Sequence, residues 1–388
     1  MDITQLLKGY DLSKLTVGVL GGHSALDVAH GAKQYGFKTV VVARKGRDKT
    51  YSKYFKTRDE SAGAKGNEKR SVGCLDEVIL VDQFTDILNR DIQQKLRSMN
   101  TIFVHNRYFW VYFDDFSKVE NGFNVPIFGS RALLKLEERD QAYNQYQLLH
   151  DAGIRTPKFF KSPKEIDRPV LVKASEATRG YERAFFVAVD EASYEAEGTK
   201  MEKEGKVNAK WRQASIEEFV VGAAINFNYF YSPRLGTLEL LGTDSRRQTN
   251  LDGFLRMTAK EQEKAMQYVD LKMIETGHVA CTVKESLLEK AYELGEKFVK
   301  TTQRLPREID PAGKGIIGPF ALQGAVVAEE GKEDIVIFDV SFRIPGSPGT
   351  FATPYSRYLY GKSMSVGERI GMELKDAVDA GRVGDLLT

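Results

Sequence analysis

Two stretches near the end of the chain carry the residue types of a metal-assisted phosphoryl-transfer site. The runs "GPFALQGAV" and "VIFDVSFR" read as adjacent antiparallel strands, on which Gln323 and Asp339 could face the same side. Side-chain oxygens hold a hard cation, and magnesium prefers few protein carboxylates together with substrate phosphates. Arg343 follows on the same strand face by the period of two, where it could neutralise a transferred phosphoryl group. A partly buried acid paired with an arginine would give the same pattern.

A lysine and two acids earlier in the chain have the arrangement of a nucleotide cleft. Lys173 ends the strand "VLVK", and the loop that follows could cover nucleotide phosphates while the ammonium group pairs with them. Glu217 and Glu218 open the run "EEFVVG", and one of the two carboxylates could take the ribose hydroxyls. The backbone of Phe219 and Val220 could bind an adenine edge. A surface lysine and a half-exposed acidic strand are the plainer alternatives.

The turn after the first strand could bind an anion. "GVLGGHSALDVAHGAKQYGFKTVVVARKGRD" reads as strand, glycine pair, helix and second strand, like a dinucleotide-binding unit, but the third glycine is missing. Basic residues follow the second strand where an acid should bind a ribose, which argues against a dinucleotide dehydrogenase. His23 and Ser24 instead lie at a helix N-terminus, whose free N–H groups favour an anion. A helix-capping pair without a ligand is the alternative.

The elements that must position these residues indicate an α/β architecture. Strands and helices alternate to about residue 125, which favours a small doubly wound domain. The charged run 130–153 predicts one long amphipathic helix, and the polar stretch 59–70 predicts a mobile surface loop. The run "GTDSRRQTNLDGFLR" gathers Arg246 and Asn250 beside apolar strands, as the wall of a ligand site would, although "NLDG" alone could be a tight turn.

Length and composition favour a globular protein of several domains that binds neither nucleic acid nor a membrane. A chain of 388 residues predicts two or three domains in close contact. The net charge of +2 gives no strong field for nucleic acid or an anionic membrane, and the apolar runs are shorter than the ~20 residues that span a bilayer. The N-terminus lacks the pattern of a signal peptide. Cys74 and Cys281 match no metal-ligand spacing and fit free thiols in a reducing compartment, so we expect a cytoplasmic protein.

The order of these features resembles a known superfamily. A phosphate-loop lysine, a double-acid strand and paired metal-ligand strands follow one another as in the ATP-grasp enzymes, which activate a carboxylate as an acyl phosphate. Within that superfamily, "HSAL" after the first strand, "FYSP" with "ELLGTDSRRQTNLDG", "GPFALQ" and "SMSVGERI" together resemble the archaeal PurP family. Its members are formate-dependent synthetases of formamidoimidazole-carboxamide ribonucleotide (FAICAR). The resemblance runs from about residue 15 to residue 385.

The resemblance implies a reaction and an architecture. ATP phosphorylates formate, and the amine of aminoimidazole-carboxamide ribonucleotide (AICAR) attacks the formyl phosphate, which gives FAICAR, ADP and phosphate in purine (IMP) biosynthesis. We therefore expect an ATP-grasp fold with a Rossmann-like N-terminal domain over residues 1–125, a small lobe over 126–222 and a second lobe with a C-terminal helix over 223–388. The resemblance also implies ATP, Mg²⁺ or Mn²⁺, and a homo-oligomer.

The resemblance and the patterns together assign roles to individual residues. Arg343 and Arg246 are expected to be catalytic, and Gln323 and Asp339 to hold the metal. The residues expected to bind ATP are Lys135, Lys173, Arg179, Glu217, Glu218, Phe219 and Val220, and those expected to bind the substrate nucleotide are His23, Ser24, Arg107 and Asn250.

Several departures from the family pattern lie at the pocket. Where typical members have Pro-His-Gly-Ser after the fourth strand, this chain has "VHNR", so that Arg107 replaces a serine that touches the substrate phosphate. Arginine can still bind phosphate bidentately. Glu176 and Glu182 lie in the predicted phosphate loop, and Asp339 stands where glutamate is usual. The sequence is thus consistent with three alternative functions: a FAICAR synthetase, an ATP-grasp ligase for another phosphorylated amine, or a non-catalytic nucleotide-binding paralogue.

Overall fold

Strands and helices follow one another along most of the chain. The structure is a computed structural model that describes residues 2–62, 68–113, 115–138, 141–174, 184–269, 271, 274–329, 331–346 and 348–388. The strands are β1 (Thr16–Leu20), β2 (Lys38–Arg44), β3 (Arg58–Ala62), β4 (Glu68–Val72), β5 (Glu77–Val81), β6 (Thr101–Val104), β7 (Ile127–Phe128), β8 (Phe159–Phe160), β9 (Val170–Lys173), β10 (Phe185–Ala188), β11 (Ser215–Glu218), β12 (Ala223–Ser232), β13 (Thr237–Gln248), β14 (Glu275–Ala280), β15 (Gly318–Glu329) and β16 (Lys332–Ser341).

Helices connect and cover these strands. The α-helices are α1 (Ile3–Leu6), α2 (Ala25–Gln34), α3 (Arg90–Ser98), α4 (Tyr108–Val111), α5 (Ser117–Gly122), α6 (Gln145–Asp151), α7 (Glu191–Lys203), α8 (Thr249–Phe254), α9 (Ala259–Ala265), α10 (Glu285–Thr302), α11 (Tyr355–Tyr360) and α12 (Val366–Asp379). Tighter or wider helical turns cover Leu12–Lys14, Thr50–Tyr54, Phe84–Leu88, Ala132–Glu137, Pro163–Glu165, Trp211–Gln213, Pro348–Ala352 and Val383–Leu386.

The first sheet places two candidate phosphate-binding segments side by side. Its strands are parallel, in the order β5-β2-β1-β6-β7. Because the strand order reverses between β1 and β6, a crevice opens at their carboxyl ends, which is where doubly wound sheets bind ligands. The turn with His23 follows β1, and Arg107 follows β6 by three residues, so both lie at this crevice.

The remaining lobes are built on antiparallel sheets. The second sheet has the order β10-β9-β11-β8, and its buried face packs with Tyr194 of α7 and with Trp211. The third sheet has the order β14-β13-β12-β15-β16. Phe298 of α10 stacks on Phe320 of β15 with ring centroids 4.9 Å apart, so the helix closes the apolar face of this sheet.

The C-terminal helix packs against the N-terminal part of the chain. Helix α12 crosses α2 where Gly31 meets Gly367, and a Cβ atom added to Gly31 would lie only 2.0 Å from the Gly367 carbonyl carbon. The last residue, Thr388, exchanges backbone hydrogen bonds with Ile127 of β7. Within the described ranges, no helix combines the length and apolar character needed to cross a membrane.

Two local predictions from the sequence are wrong. The predicted helix over 130–153 is split into the turn Ala132–Glu137 and α6, because Asn144 caps α6 and the Glu137 side chain accepts a hydrogen bond from the Phe342 backbone. Part of the predicted loop over 59–70 is the antiparallel pair β3–β4, and residues 63–67 between the strands lie outside the described ranges.

Candidate active site

The turn after β1 is held in place from both sides of the crevice. The Asn106 side-chain amide donates hydrogen bonds to the carbonyl oxygens of Leu20, at 2.9 Å, and His23, at 3.0 Å, and so ties the end of β6 to the turn. Ser24 has a φ of +66°, in the left-handed region, and its hydroxyl donates to the Pro345 carbonyl at 2.7 Å. The Ser24 hydroxyl is therefore engaged with the backbone rather than turned to a ligand.

The His23 ring faces the interior of the cleft. Its Nε2 lies 3.5 Å from Glu275 Oε1, and its buried Nδ1 has no hydrogen-bond partner among the described residues. The ring lies against the backbone of Gly346, where a Cβ atom would come within 1.5 Å of it. Burial lowers the pKa of His23, and the charges of Arg343 and Arg107 lower it further. The imidazole is therefore neutral at pH 7 and has one N–H to donate.

A group of arginines converges beside His23. Arg343 is buried, its Nη2 lies 3.5 Å from Glu137 Oε2, and its Nη1 donates to the Ile344 carbonyl at 3.2 Å. Burial lowers the pKa of Arg343, and the nearby charges of Arg107 and Arg246 act in the same direction. Its buried Nε has no hydrogen-bond partner among the described residues. Arg343 is buried while Arg107 and Arg246 are half-buried, and like charges held close together provide a binding place for an anion.

The predicted metal ligands lie next to each other on the third sheet. Gln323 of β15 and Asp339 of β16 are cross-strand partners, and the pairing shifts register immediately after Gln323. The Gln323 amide donates to the Ser341 hydroxyl at 2.9 Å, while its oxygen accepts a hydrogen bond from Arg246. Amide and carboxylate oxygens are hard donors that magnesium takes, and the Gln323 oxygen becomes available to the ion when Arg246 releases it.

Arg246 continues into a network of acids and histidine on β13 and β14. Its Nε lies 3.3 Å from Glu275 Oε2. His278 lies between two acids, with Nε2 at 2.9 Å from Glu275 and Nδ1 hydrogen-bonded to Asp244. Burial lowers the pKa of His278, but the hydrogen bonds and charges of Asp244 and Glu275 outweigh it and raise the pKa to about 9. The side-chain amides of Asn226 and Asn228 also donate to Asp244, so both of its carboxylate oxygens accept hydrogen bonds.

The nucleotide-cleft lysine is already paired. Lys173 Nζ lies 2.7 Å from Glu217 Oε2, donates to the Tyr146 hydroxyl at 3.1 Å and donates to the Phe338 carbonyl at 3.2 Å. The Tyr146 hydroxyl donates to the other Glu217 oxygen at 2.6 Å. Phe338 belongs to β16, so Lys173 connects the second sheet to the third. Its ammonium group has three donors, and these contacts use all of them.

The other predicted ATP-binding residues, and Asn250 of the predicted substrate site, are dispersed. Strand alternation sends Glu218 to the face opposite Glu217, where it pairs with Arg168 at 3.2 Å. Lys135 forms an ion pair with Glu120 at 3.1 Å, and Phe219 donates its backbone N–H to the Pro169 carbonyl. Val220 is half-buried in the segment after β11, Asn250 is exposed on α8, and Arg179 lies outside the described residues.

Several residues of the cleft were not singled out from the sequence. Glu137, Tyr146, Glu275 and His278 each contact a predicted site residue, and Asn106 was noted only as a replacement for a family glycine. Their signal in the sequence is weak, because each acts through a partner that is distant along the chain. Glu275, for example, contacts His23 across 252 positions.

Sequence comparisons match the chain over its whole length. Residues 193–388 match a family described as "Domain of unknown function (DUF1297)", and residues 17–160 match one described as "Protein of unknown function (DUF1246)". The 5-formaminoimidazole-4-carboxamide-1-(beta)-D-ribofuranosyl 5'-monophosphate synthetase of Methanobrevibacter smithii is 35% identical over 393 residues, which cover 100% of this chain and 98% of that protein. The synthetase of the same name from Methanopyrus kandleri is 34% identical over 388 residues, with 100% and 99% covered.

Solved structures show the same architecture. The IMP biosynthesis protein PurP from Thermococcus kodakaraensis has a TM-score of 0.67 at 26% identity, over 96% of this chain and 100% of that chain. A biotin carboxylase from Campylobacter jejuni, solved with bound nucleotide, has a TM-score of 0.55 at 14% identity, over 92% of this chain and 70% of that chain. The predicted ATP-grasp fold with a Rossmann-like N-terminal domain is thus confirmed.

Proposed function

Because this chain belongs to the PurP family of archaeal FAICAR synthetases, we propose that it is an ATP-dependent ligase that joins formate to the amine of AICAR. The products are FAICAR, ADP and phosphate, and the step belongs to purine biosynthesis. The substrates are small molecules, and the protein acts in the cytoplasm as a homo-oligomer.

One observation in the cleft carries the proposal beyond family membership. The mutually interacting charges of Arg343, Arg107 and Arg246 lie beside the oxygen pair Gln323–Asp339 and next to the His23 turn. A ligase of this kind must bring two phosphate-bearing substrates and a carboxylate together. Positive charge that is buried at Arg343 and half-buried at Arg107 and Arg246, next to hard oxygen ligands, can bind these anionic groups together.

Each group of residues has a role in this scheme. Gln323 and Asp339 hold magnesium, which supplies charge neutralisation on phosphate oxygens. Lys173 binds phosphate after it leaves one of its present acceptors, and Glu217 keeps the lysine within reach. Arg343, held by Glu137, stabilises the charge that moves during phosphoryl transfer. Because such transfer depends on positioning and charge, no side chain has to act as a covalent nucleophile.

The nucleotide substrate binds at the crevice between β1 and β6. The neutral His23 ring and the N-terminus of α2 offer N–H donors to its phosphate. Arg107 and Arg246 add charged donors from the two sides of the cleft. The attacking amine then has to face the activated formate near Arg343.

A different phosphorylated amine is the second candidate, and Arg107 is the observation that favours it. Arg107 follows β6 at the crevice, and its charge acts on His23, Arg343 and Glu137. A long guanidinium group in place of a small hydroxyl changes the space available to the substrate.

Product analysis tests the proposal. The purified protein is incubated with ATP, magnesium and formate, with and without AICAR, and the nucleotides are separated. ADP and FAICAR that appear together only in the complete mixture support the function. ATP consumption without FAICAR, followed by turnover of another phosphorylated amine in a substrate screen, supports the second candidate. Absence of nucleotide turnover in every mixture contradicts both.

A further inference from the structure

A single carboxylate is shared by three basic side chains in the nucleotide crevice. Glu275 Oε1 lies 3.5 Å from His23 Nε2 and 2.9 Å from His278 Nε2, and its Oε2 lies 3.3 Å from Arg246 Nε. The three partners come from the turn after β1, from β14 and from β13. Glu275 thus lies between the turn after β1 and the third sheet, in contact with two of the side chains that are proposed to bind the nucleotide phosphate.

The neighbouring side chains keep the Glu275 carboxylate ionised. Although burial raises the pKa of Glu275, hydrogen bonds from His23 and His278 and the charge of Arg246 hold it well below its usual value. Glu275 is therefore an anion at neutral pH. His278 also binds Asp244 and remains protonated, so it retains a contact with Glu275 when the other two partners leave.

The donors available to a ligand are limited. The neutral His23 ring has one N–H, and the 3.5 Å contact of Nε2 with the Glu275 carboxylate favours that proton on Nε2. Arg246 directs Nη2 to Gln323 and Nε toward Glu275. A phosphate that is to accept the His23 N–H and the Nε–H of Arg246 must therefore replace Glu275.

We propose that Glu275 is a specificity-determining residue that occupies the phosphate position between His23 and Arg246 and sets the charge that an incoming anion must carry. The inference rests on the proposed function, in which these two side chains bind the nucleotide phosphate. A phosphomonoester, with close to two negative charges and three acceptor oxygens, replaces the carboxylate, whereas a monoanion with two oxygens gains nothing by the exchange.

This arrangement distinguishes formate from the phosphate-bearing nucleotide that accepts the formyl group. Formate is a monoanion, like the Glu275 side chain, and is excluded from the phosphate position at concentrations at which it occupies its own position near Arg343. A position from which one ligand can displace an internal group and another cannot distinguishes the two ligands by the difference in their affinities. After displacement, the carboxylate remains bound to His278, so its charge is not left unpaired.

The variant Glu275→Gln tests the proposal with the full-length protein. Calorimetric titration with inorganic phosphate measures the Kd of the anion site without turnover. Steady-state kinetics measures the KM for AICAR during turnover. We expect the Kd for phosphate and the KM for AICAR to fall about tenfold, because the competing charge is removed. The KM for ATP stays unchanged, and formate becomes a competitive inhibitor against AICAR.

A matched variant controls for the loss of one surface charge. Glu329→Gln removes an acid that pairs with Arg155 at 2.8 Å, away from the cleft, and leaves phosphate binding unchanged. Phosphate binding that is unchanged or weaker in Glu275→Gln overturns the proposal, even if the wild-type protein makes FAICAR. If the wild-type protein does not make FAICAR, the proposed function fails, and tighter phosphate binding in Glu275→Gln still supports the role of Glu275 at an anion site.

Discussion

Gln323 and Asp339 lie directly opposite each other on neighbouring antiparallel strands, and the register of the two strands shifts immediately beside them. The shift brings Ile337, rather than the next residue of β16, opposite Gly324. A bulge of this kind re-aims the side chains next to it, which is why such irregularities recur at binding sites. The pair therefore presents its oxygens to the cleft beside Arg246.

Removing the Asp339 charge is expected to impair magnesium-dependent turnover. Asp339→Asn keeps the size of the side chain but replaces a hard anionic ligand with a neutral one, so kcat with magnesium should fall about 100-fold. The measurement is ADP release as a function of magnesium concentration. Asp334→Asn, on the same strand but paired with Arg155 at 2.9 Å, is the control and should behave as wild type. ATP turnover in Asp339→Asn at the wild-type rate would remove Asp339 from the site.

Replacing His23 is expected to weaken the binding of the nucleotide substrate and not that of ATP. His23→Ala removes the N–H that faces the crevice, so the KM for the nucleotide substrate should rise about tenfold while the KM for ATP stays within a factor of about two. Initial rates with each substrate varied in turn separate the two effects. The exposed His30 on α2 provides the control His30→Ala. If the KM for ATP changes and the KM for the nucleotide substrate does not, the turn after β1 is not the site of the nucleotide substrate.

Contacts between residues on consecutive strands could be predicted from the sequence, whereas contacts between segments far apart along the chain could not. Gln323 and Asp339 were predicted to face the same side because they lie on consecutive antiparallel strands, in which the short connection between β15 and β16 sets the register. The division of Glu217 and Glu218 between two faces follows from the period of two along a strand. Lys173 and Glu217 were each predicted, but their ion pair depends on the pairing of β9 with β11.

Contacts between distant segments could not be read from local pattern. The stretch "ETGHVA" shows neither a clear strand period nor a motif, yet β14 places Glu275 and His278 against β13 and the first domain. The run 130–153 has the composition of one helix, and the tertiary contact of Glu137 with Phe342 near the end of β16 stops it. Tertiary contacts outweigh local propensity at both places.

The Tyr146 hydroxyl is expected to govern the availability of Lys173. Tyr146→Phe keeps the ring packed against Phe159, at 4.9 Å between centroids, but removes the donor to Glu217. The variant also removes the hydroxyl that accepts a hydrogen bond from Lys173, so one N–H of the lysine becomes available to a phosphate. The KM for ATP should therefore fall about fivefold, with a loss of stability of about 1 kcal/mol. Kinetics and thermal unfolding measure the two effects.

A second tyrosine provides the control for this variant. The hydroxyl of Tyr143 donates to Asp151 at 2.8 Å on the protein surface, and Tyr143→Phe should leave the KM for ATP unchanged. An unchanged KM for ATP in Tyr146→Phe, with lower stability, would mean that the Tyr146 hydroxyl supports the fold and does not regulate the lysine.

His278 is expected to make the stability of the protein depend on pH. Its folded pKa of about 9 exceeds the ordinary value of 6.5, so the protonated ring stabilises the folded state. That contribution is fully present below about pH 6.5 and is lost as the pH rises through about 9. The difference in Tm between wild type and His278→Gln should therefore be largest near pH 6 and shrink toward pH 10. His150→Gln, at an exposed position on α6, should show no such trend. A Tm difference that is constant across this range would show that His278 is not held as a cation by Asp244 and Glu275, and that Glu275 lacks the partner that keeps it in the cleft.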